Sequence, residues 1–507
     1  MTFSPDDLRQ YPVRLADLPP GWMVCDVAAL ATAIQPGFPS GKHNQDGQGV
    51  PHLRPMNVSR DGTIDLTDIK YVPDQNGPRL NDGDVLFNNT NSPALVGKTA
   101  VIRRPSDWAF SNHMTRIAPA RGVVPSYLAH HLHYLWMTGY FRHRCVNHVN
   151  QASISSGPLA KTVPIALPPS AEQERIIAAI EEQFSRLDAG VQALERVRQN
   201  LKRMRNAVLH AGITGRLCVQ DPADEPGDQL LARLLREKAR RGERIRKTST
   251  PASASGRSLP FPLPRGWTCA EWQTIALMIG DIDHKMPDAV DQGVPYVSPR
   301  DFLPNNQIDF MGAKKISLDD FRRLAAKIRP EVGDLIYPRY GTIGESRLVG
   351  DAQEFLVSYS CALVKTMHGF VDPRYQYYYS ISPVARAQAL AAVNDTTQAN
   401  VGLRSIQGFL VPIPPLSEQT RIAIEIERLT SQIDTLESEM ALWVLRTAAL
   451  RSSILAAAFS GKLVSQDPND EPAAILLERI AAERASSNGH KATRARKTRT
   501  MLTTVPA

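Results

Sequence analysis

The residue types that could do chemistry in this chain of 507 residues are binding groups more than reacting ones. VGKT at Val96 ends like a phosphate-binding loop but lacks the leading glycine of GxxxxGK, and no glycine-rich dinucleotide turn follows a predicted strand. There is no Asn/Asp-Pro-Pro-aromatic segment of the kind amino-methyltransferases place around a target base. Asp283 and Lys285 match a nuclease core only loosely. The five cysteines (Cys25, Cys145, Cys218, Cys269, Cys361) are scattered without a CxxC pair, which speaks against a zinc ribbon or a disulfide framework. His130, His131 and His133 share a predicted helix at a spacing that suits a single-face metal set poorly, so they are expected at the edge of a core.

What the chain does offer is amides and arginines in loops. One set is Asn89, Asn91, Ser92 and Lys98 in NNTNSPALVGK, with Arg142, Arg144, Asn150, Gln151 and Ser153 in FRHRCVNHVNQAS. The other is Arg339, Tyr340, Thr342 and Arg347 in PRYGTIGESR, with Gln398, Asn400 and Arg404 in NDTTQANVGLR. Asn and Gln pair bidentately with adenine and Arg with guanine in the DNA major groove, and loop glycines let a backbone approach phosphate. These residues are the candidate DNA contacts.

The elements that must position them are given by an internal repeat. Shifting the sequence by 246 positions aligns 168–226 with 414–472 without a gap, and roughly a third of the positions are identical. LPPSAEQERI from Leu167 answers IPPLSEQTRI from Ile413, and QDPADEP from Gln220 answers QDPNDEP from Gln466. Upstream the match thins to LPPGW at Leu18 against LPRGW at Leu263 and GDVLF at Gly83 against GDLIY at Gly333. Each half therefore reads as a globular domain of roughly 150 residues followed by a helical segment of roughly 70. In the globular parts, short apolar runs broken by Gly, Pro, Asn and Asp read as strands of a mixed α+β domain.

The helical parts carry heptad seams. In the first, Ile177, Ile180, Phe184, Leu187, Val191, Leu194 and Leu201 recur at a/d spacing; in the second, Ile422, Ile426, Leu429, Ile433, Leu436, Met440, Trp443, Leu450 and Ile454 do the same. Two prolines precede each helix, and Gly215 and Gly461 suit its C-terminal cap. Helices of about 36 residues would span about 54 Å, and they bury their seams most simply against each other, the alternative being homodimerisation through either helix. The net charge of +8 points toward a polyanionic partner. No apolar run approaches twenty residues and no secretory signal opens the chain, so no membrane span and a cytoplasmic location are expected.

The PP-x-x-EQ-x-RI phrase, the Gly-Arg/Lys-Leu helix ends, the GD-Val/Leu-Leu/Ile strands and the twofold plan resemble those of type I restriction–modification specificity subunits, over roughly residues 12–485. The resemblance implies an α+β chain of two target-recognition domains separated by two long α-helices that form an antiparallel coiled coil with an internal pseudo-twofold repeat. On this reading an N-terminal segment (1–17) precedes recognition domain one (18–166) and spacer helix region one (167–240). A flexible basic linker (241–258), recognition domain two (259–412), spacer helix region two (413–485) and a disordered basic tail (486–507) follow. The resemblance further implies that each domain reads one half of an asymmetric bipartite site in double-stranded DNA and that the helices set the gap. It implies docking of two methyltransferase subunits and of restriction/translocase subunits, with S-adenosylmethionine, ATP and Mg carried by those partners and none by this chain. No catalytic and no metal residue is expected here. The rival readings are a duplicated coiled-coil adaptor that binds protein, and a nuclease with a degenerate site.

Overall fold

The computed structural model describes residues 3–74, 77–103, 107–149, 151–242, 258–282, 286–341, 344–350, 353–394 and 400–486. Most of the basic linker and the basic tail, together with Asp283 and Lys285, lie outside the described residues. The chain divides into two units: Met1–Ala193 with Leu442–Ala507, and Leu194–Ala441. Spacer region one is therefore shared. Its residues from Leu194 onward group with the second globular domain, and the end of the second long helix groups with the first.

In the first unit a four-stranded antiparallel sheet has the spatial order Ala31–Pro36, Met114–Pro119, Val85–Asn88, Thr99–Val101. The apolar run Val85–Phe87 is buried on both faces. Val85 and Phe87 face Ile117, Leu128 and Leu132, the last two on the helix Pro125–Met137. Leu86 faces a smaller core of Leu53, Ile102, Phe110 and Met114. That second core belongs to a three-stranded sheet of Lys70–Val72, Val50–Leu53 and Ala109–Phe110. Met23–Asp26 pairs with Pro164–Leu167 where the chain leaves the domain. The second unit contains the corresponding pieces: a sheet ordered Met278–Gly280, Cys361–Lys365, Leu335–Pro338, Arg347–Leu348, a three-stranded sheet around Val294–Val297, and an exit pair Thr268–Glu271 with Leu410–Ile413. The strands expected from short apolar runs are present, in both parallel and antiparallel pairs.

Each exit strand runs through two prolines into a helix of 44 residues, Ser170–Ile213 and Leu416–Phe459, about 66 Å at 1.5 Å per residue. Gly215 and Gly461, both at φ 69°, end them. The amide of Arg216 reaches the carbonyl of Ala211 at 2.8 Å and that of Lys462 reaches Ala457 at 2.8 Å, the six-to-one bond of a Schellman cap. A Cβ on either glycine would also strike a neighbour, Pro264 at 2.4 Å or Pro19 at 2.2 Å.

The repeated phrase is the joint between helix and domain. In the first unit the Trp22 indole donates to Glu172 at 3.0 Å, Gln173 accepts from the Val124 amide at 2.8 Å, and Arg175 pairs with Asp470 at 2.6 Å. In the second, Trp267 donates to Glu418 at 2.9 Å, Gln419 accepts from the Asp372 amide at 2.9 Å, and Arg421 pairs with Asp224 at 2.5 Å. Glu, Gln and Arg of the phrase thus each hold a different segment of the joint. The Asp-Pro-x-Asp-Glu-Pro segment after the other long helix supplies the aspartate.

A further helix packs on each domain. Leu230, Leu231 and Leu234 of Gly227–Arg240 join the core of the second unit, and Lys238 donates to the carbonyls of Gln273 at 3.2 Å and Ala276 at 2.6 Å. In the first unit Ala473, Leu476 and Ile480 of the helix 473–486 do the same, and Arg484 donates to the carbonyls of Ala28 at 2.6 Å and Ala31 at 2.5 Å. Lys238 and Arg484 both bond carbonyls in and just past a short helix, Trp272–Ile275 and Val27–Leu30 respectively.

Within each unit, segments of the two long helices run antiparallel. In the first, Ile176, Ile177 and Ile180 share a core with Leu455, Ala458 and Phe459, and farther along Asp188 pairs with Arg451. In the second, Gly212 abuts Ile422 and Ile426, and Arg205 pairs with Asp434 and with Glu437 at 3.1 Å. The heptad reading needs correction toward the helix middles. Ile177, Ile180, Leu201, Ile422, Ile426 and Ile433 are buried; Phe184, Leu187, Val191, Leu194, Leu429, Met440 and Ile454 are half-buried. Leu436, Trp443 and Leu450 are exposed, at 47%, 53% and 47%. An α-helix of 3.6 residues per turn drifts about 20° per heptad from a 3.5-residue seam, so a single stripe does not stay covered. At the helix ends, moreover, the globular domain covers much of the apolar surface. The helix Leu416–Phe459 is, against expectation, long and apolar enough to cross a membrane by length and composition alone. It carries Arg446 and Arg451, and Leu455, Ala458 and Phe459 at its end pack into the first unit.

Candidate nucleic-acid interface

In the first unit the loop after Val85–Asn88 is shaped from below. Asn88 donates to the Leu95 carbonyl at 3.0 Å, and Gly97, at φ 101°, leaves room for Phe141, whose ring would lie 2.2 Å from a Cβ. Thr90–Asn91 then pairs with Ala152–Ser153, which pairs with Val146–Asn147. The result is a three-stranded ribbon whose outer turn is closed by the His148 amide on the Gln151 carbonyl at 2.6 Å. Ala152 is fully buried and anchors the ribbon in the core. Asn147, His148, Val149 and Gln151 are exposed, as are Ser92 and Arg142; Asn91 and Ser153 are half-buried. His148 lies 3.1 Å from the Ser153 hydroxyl, and Asn91 accepts from the Ser92 amide at 2.8 Å.

The second unit has a shorter counterpart, Val393–Asn394 paired with Asn400–Val401, with Tyr340 bridging to Asn400. Tyr340 and Asn400 are half-buried, and Arg404 is exposed on the short helix Leu403–Gln407. Asn150, Thr342 and Gln398 lie outside the described residues.

Five candidate contacts are corrected, because their polar groups are already engaged inside the protein. Asn89 is buried and donates to the Asn112 carbonyl at 3.2 Å and the Thr115 hydroxyl at 2.9 Å. Lys98 is buried, donates to the carbonyls of Pro55 and Val58, and burial holds its amine below the usual lysine range. Arg144 stacks on Tyr140 at 4.3 Å and pairs with Asp7 at 3.4 Å, pinning the N-terminal helix Pro5–Leu8. Arg339 pairs with Asp281 at 2.5 Å and donates to the Val401 carbonyl at 3.4 Å. Arg347 lies over Phe302 at 4.7 Å and donates to the carbonyls of Leu303 at 2.6 Å and Ser346 at 2.9 Å. These residues hold the loops in shape. Among the described residues, exposed groups available to a partner include Ser92, Arg142, Asn147, His148, Val149, Gln151 and Arg404. Asn147, His148 and Val149 lie within the loop FRHRCVNHVNQAS but were not singled out in it, because the local pairing of 146–147 with 152–153 that turns them outward leaves no apolar pattern in so short a stretch.

The histidine cluster is structural. His131 is fully buried, bonded to the Tyr11 hydroxyl at 3.0 Å and stacked on Phe459 at 4.4 Å, and burial holds its pKa at about 3. His133 lies 3.2 Å from the Arg60 carbonyl, and burial holds its pKa at about 4. Among the described residues no group of three or more His, Cys, Asp or Glu could hold a metal ion.

Residues 279–441 match the family model described as the type I restriction modification DNA specificity domain. The chain is 25% identical to the type I restriction enzyme EcoKI specificity subunit of Escherichia coli K12, over 94% of this chain and 98% of that one. It is 24% identical to the StySPI specificity subunit of Salmonella potsdam, again over 94% and 98%. A solved chain of a type I restriction–modification system, 16% identical, superposes with a TM-score of 0.57 over 88% of this chain and 99% of its own. Over nearly its whole length the chain is similar to the specificity subunits of type I restriction systems, and within it residues 279–441 match their DNA specificity domain.

Proposed function

We propose that this chain is the DNA specificity subunit of a type I restriction–modification assembly, a non-catalytic reader. Each globular domain reads one half of an asymmetric bipartite site in double-stranded DNA. The long helices act as an antiparallel coiled-coil spacer that sets the unspecified gap and, with the repeated joints, gives two methyltransferase subunits equivalent places to dock. Restriction/translocase subunits complete the assembly. S-adenosylmethionine, ATP and Mg belong to those partners. The observation that carries the reading is similarity to named specificity subunits along 94% of the chain. The recurrence of each joint contact in both units supports two equivalent docking places, since identical partners favour a self-similar surface. The test is methylome sequencing of a strain with this chain and its methyltransferase partner, against a strain lacking this chain alone. A methyladenine motif in two specified blocks around a fixed gap, lost on deletion, is expected. Survival of every motif after deletion would sink the specificity role.

A further inference from the structure

We propose that the ribbon of the first unit enters the major groove tip first, and that Val149 at its turn reads a thymine through the base's 5-methyl group. This rests on the DNA-reading role above and names the chemistry of one contact within it. Val149 is 100% exposed, and Val146, on the outer strand Val146–Asn147 that leads into the turn, is 63% exposed. A β-branched apolar residue does not suit a tight turn, where Gly, Asn, Asp and Ser dominate, and a side chain that touches nothing adds nothing to folding. Its methyl groups are free to meet an apolar group of a partner. The tip around it is polar, with Asn147, His148 and Gln151 all exposed. Amide and imidazole donors and acceptors beside an apolar group match the floor of the major groove, where the thymine methyl is the one apolar feature among hydrogen-bonding base edges.

The setting fits this entry. The groove is about 12 Å wide and admits a two-stranded β-ribbon such as the outer hairpin formed by Val146–Asn147 and Ala152–Ser153. The ribbon is held at its base: Ala152 is fully buried, and the Ile154 amide donates to the Asn89 carbonyl at 2.9 Å. Beside the inner strand a recess of about 350 Å³ is lined by Arg60, Pro93, Ala94, Trp136, Met137 and Arg142. Arg60 and Arg142, both exposed, line it and supply cations for the backbone flanking the groove that the tip enters.

The test uses the full chain with its methyltransferase partner and duplexes carrying the motif found by methylome sequencing. Each thymine of the two blocks is replaced in turn by deoxyuridine, which removes only the methyl. One such replacement is expected to lower affinity about fourfold, the value of one buried methyl-sized group. Val149→Asn should lose a similar factor on the natural site and no longer respond to that replacement, whereas Val149→Thr, which keeps a methyl, should still respond. If no deoxyuridine matters, or if Val149→Asn responds like the unaltered chain, the inference is overturned while specific binding stands. If no duplex is bound in preference to any other, the DNA-reading role itself fails.

Discussion

Arg339 and Arg404 lie within one loop system of the second unit, yet their environments separate what they can do. Arg339 is paired with Asp281 at 2.5 Å, with side chains only 9% and 12% exposed. Arg339→Ala removes one partner of the half-buried Asp281 carboxylate, which Lys327 still approaches at 4.0 Å, a change that costs about 1–3 kcal/mol. Denaturant unfolding of the second unit is expected to show that loss, with the methylated motif unchanged wherever the variant still folds. Arg404 is exposed, and Arg404→Ala should change stability by less than about 0.5 kcal/mol while weakening DNA binding. A stable Arg339→Ala protein with an altered motif would return Arg339 to the list of base contacts. The sequence could not separate the two. Both are arginines beside glycines and amides, and the partner that removes Arg339 from DNA lies 58 positions away. Lys98 was misread for the same reason, since the carbonyls it satisfies are those of Pro55 and Val58. Residue type and local spacing tell which loops are polar; long-range pairing decides which polar groups remain free.

At the scale of elements the sequence was more legible, because proline, glycine and apolar period act locally. The two prolines and the capping glycines marked both long helices, although each is longer than the seam alone indicated. Coverage of the seam was not legible, since it depends on where each domain leans on its helix. The joint also yields a prediction with a definite sign. Burial pushes the carboxyls of Glu172 and Glu418 up, against the opposing pull of the Trp22 and Trp267 indoles and of Arg175 and Arg421. A folded-state pKa above the unfolded value contributes stability that is complete below the ordinary glutamate range and lost as pH rises through the folded value. Replacing both by glutamine keeps an acceptor for each indole and removes the titration. Melting of the Glu172→Gln, Glu418→Gln chain should therefore fall less than that of the unaltered chain from mildly acidic to neutral pH. A constant difference between the two across that range would mean that burial does not dominate at the joint. Gly461→Ala tests the cap beside it: at φ 69°, with a Cβ 2.2 Å from Pro19, it should destabilise by about 1 kcal/mol or more.

For the whole molecule, the distinction that matters is between a reader of DNA and an adaptor for protein, and the net charge of +8 bears on both without deciding between them. Salt separates them. Each phosphate neutralised by a cationic side chain releases condensed counterions and adds about 0.9 to the slope of log affinity against log salt. A chain that seats backbone phosphates with exposed arginines such as Arg60, Arg142 and Arg404 is expected to lose affinity steeply between low and physiological salt. Removing one of these arginines should weaken binding to all sequences alike and reduce the slope by about one. Val149→Asn, by contrast, should leave the slope unchanged, because it alters a base contact and no charge. An equilibrium titration of the full chain with its methyltransferase partner, run at several salt concentrations for the unaltered chain, Arg142→Ala and Val149→Asn, reads both effects at once. An adaptor would give no preferred sequence at any salt. A reader whose arginines rest only on protein would keep its preference but show the same slope in Arg142→Ala as in the unaltered chain, and the recess beside the ribbon would then not be where the backbone is held.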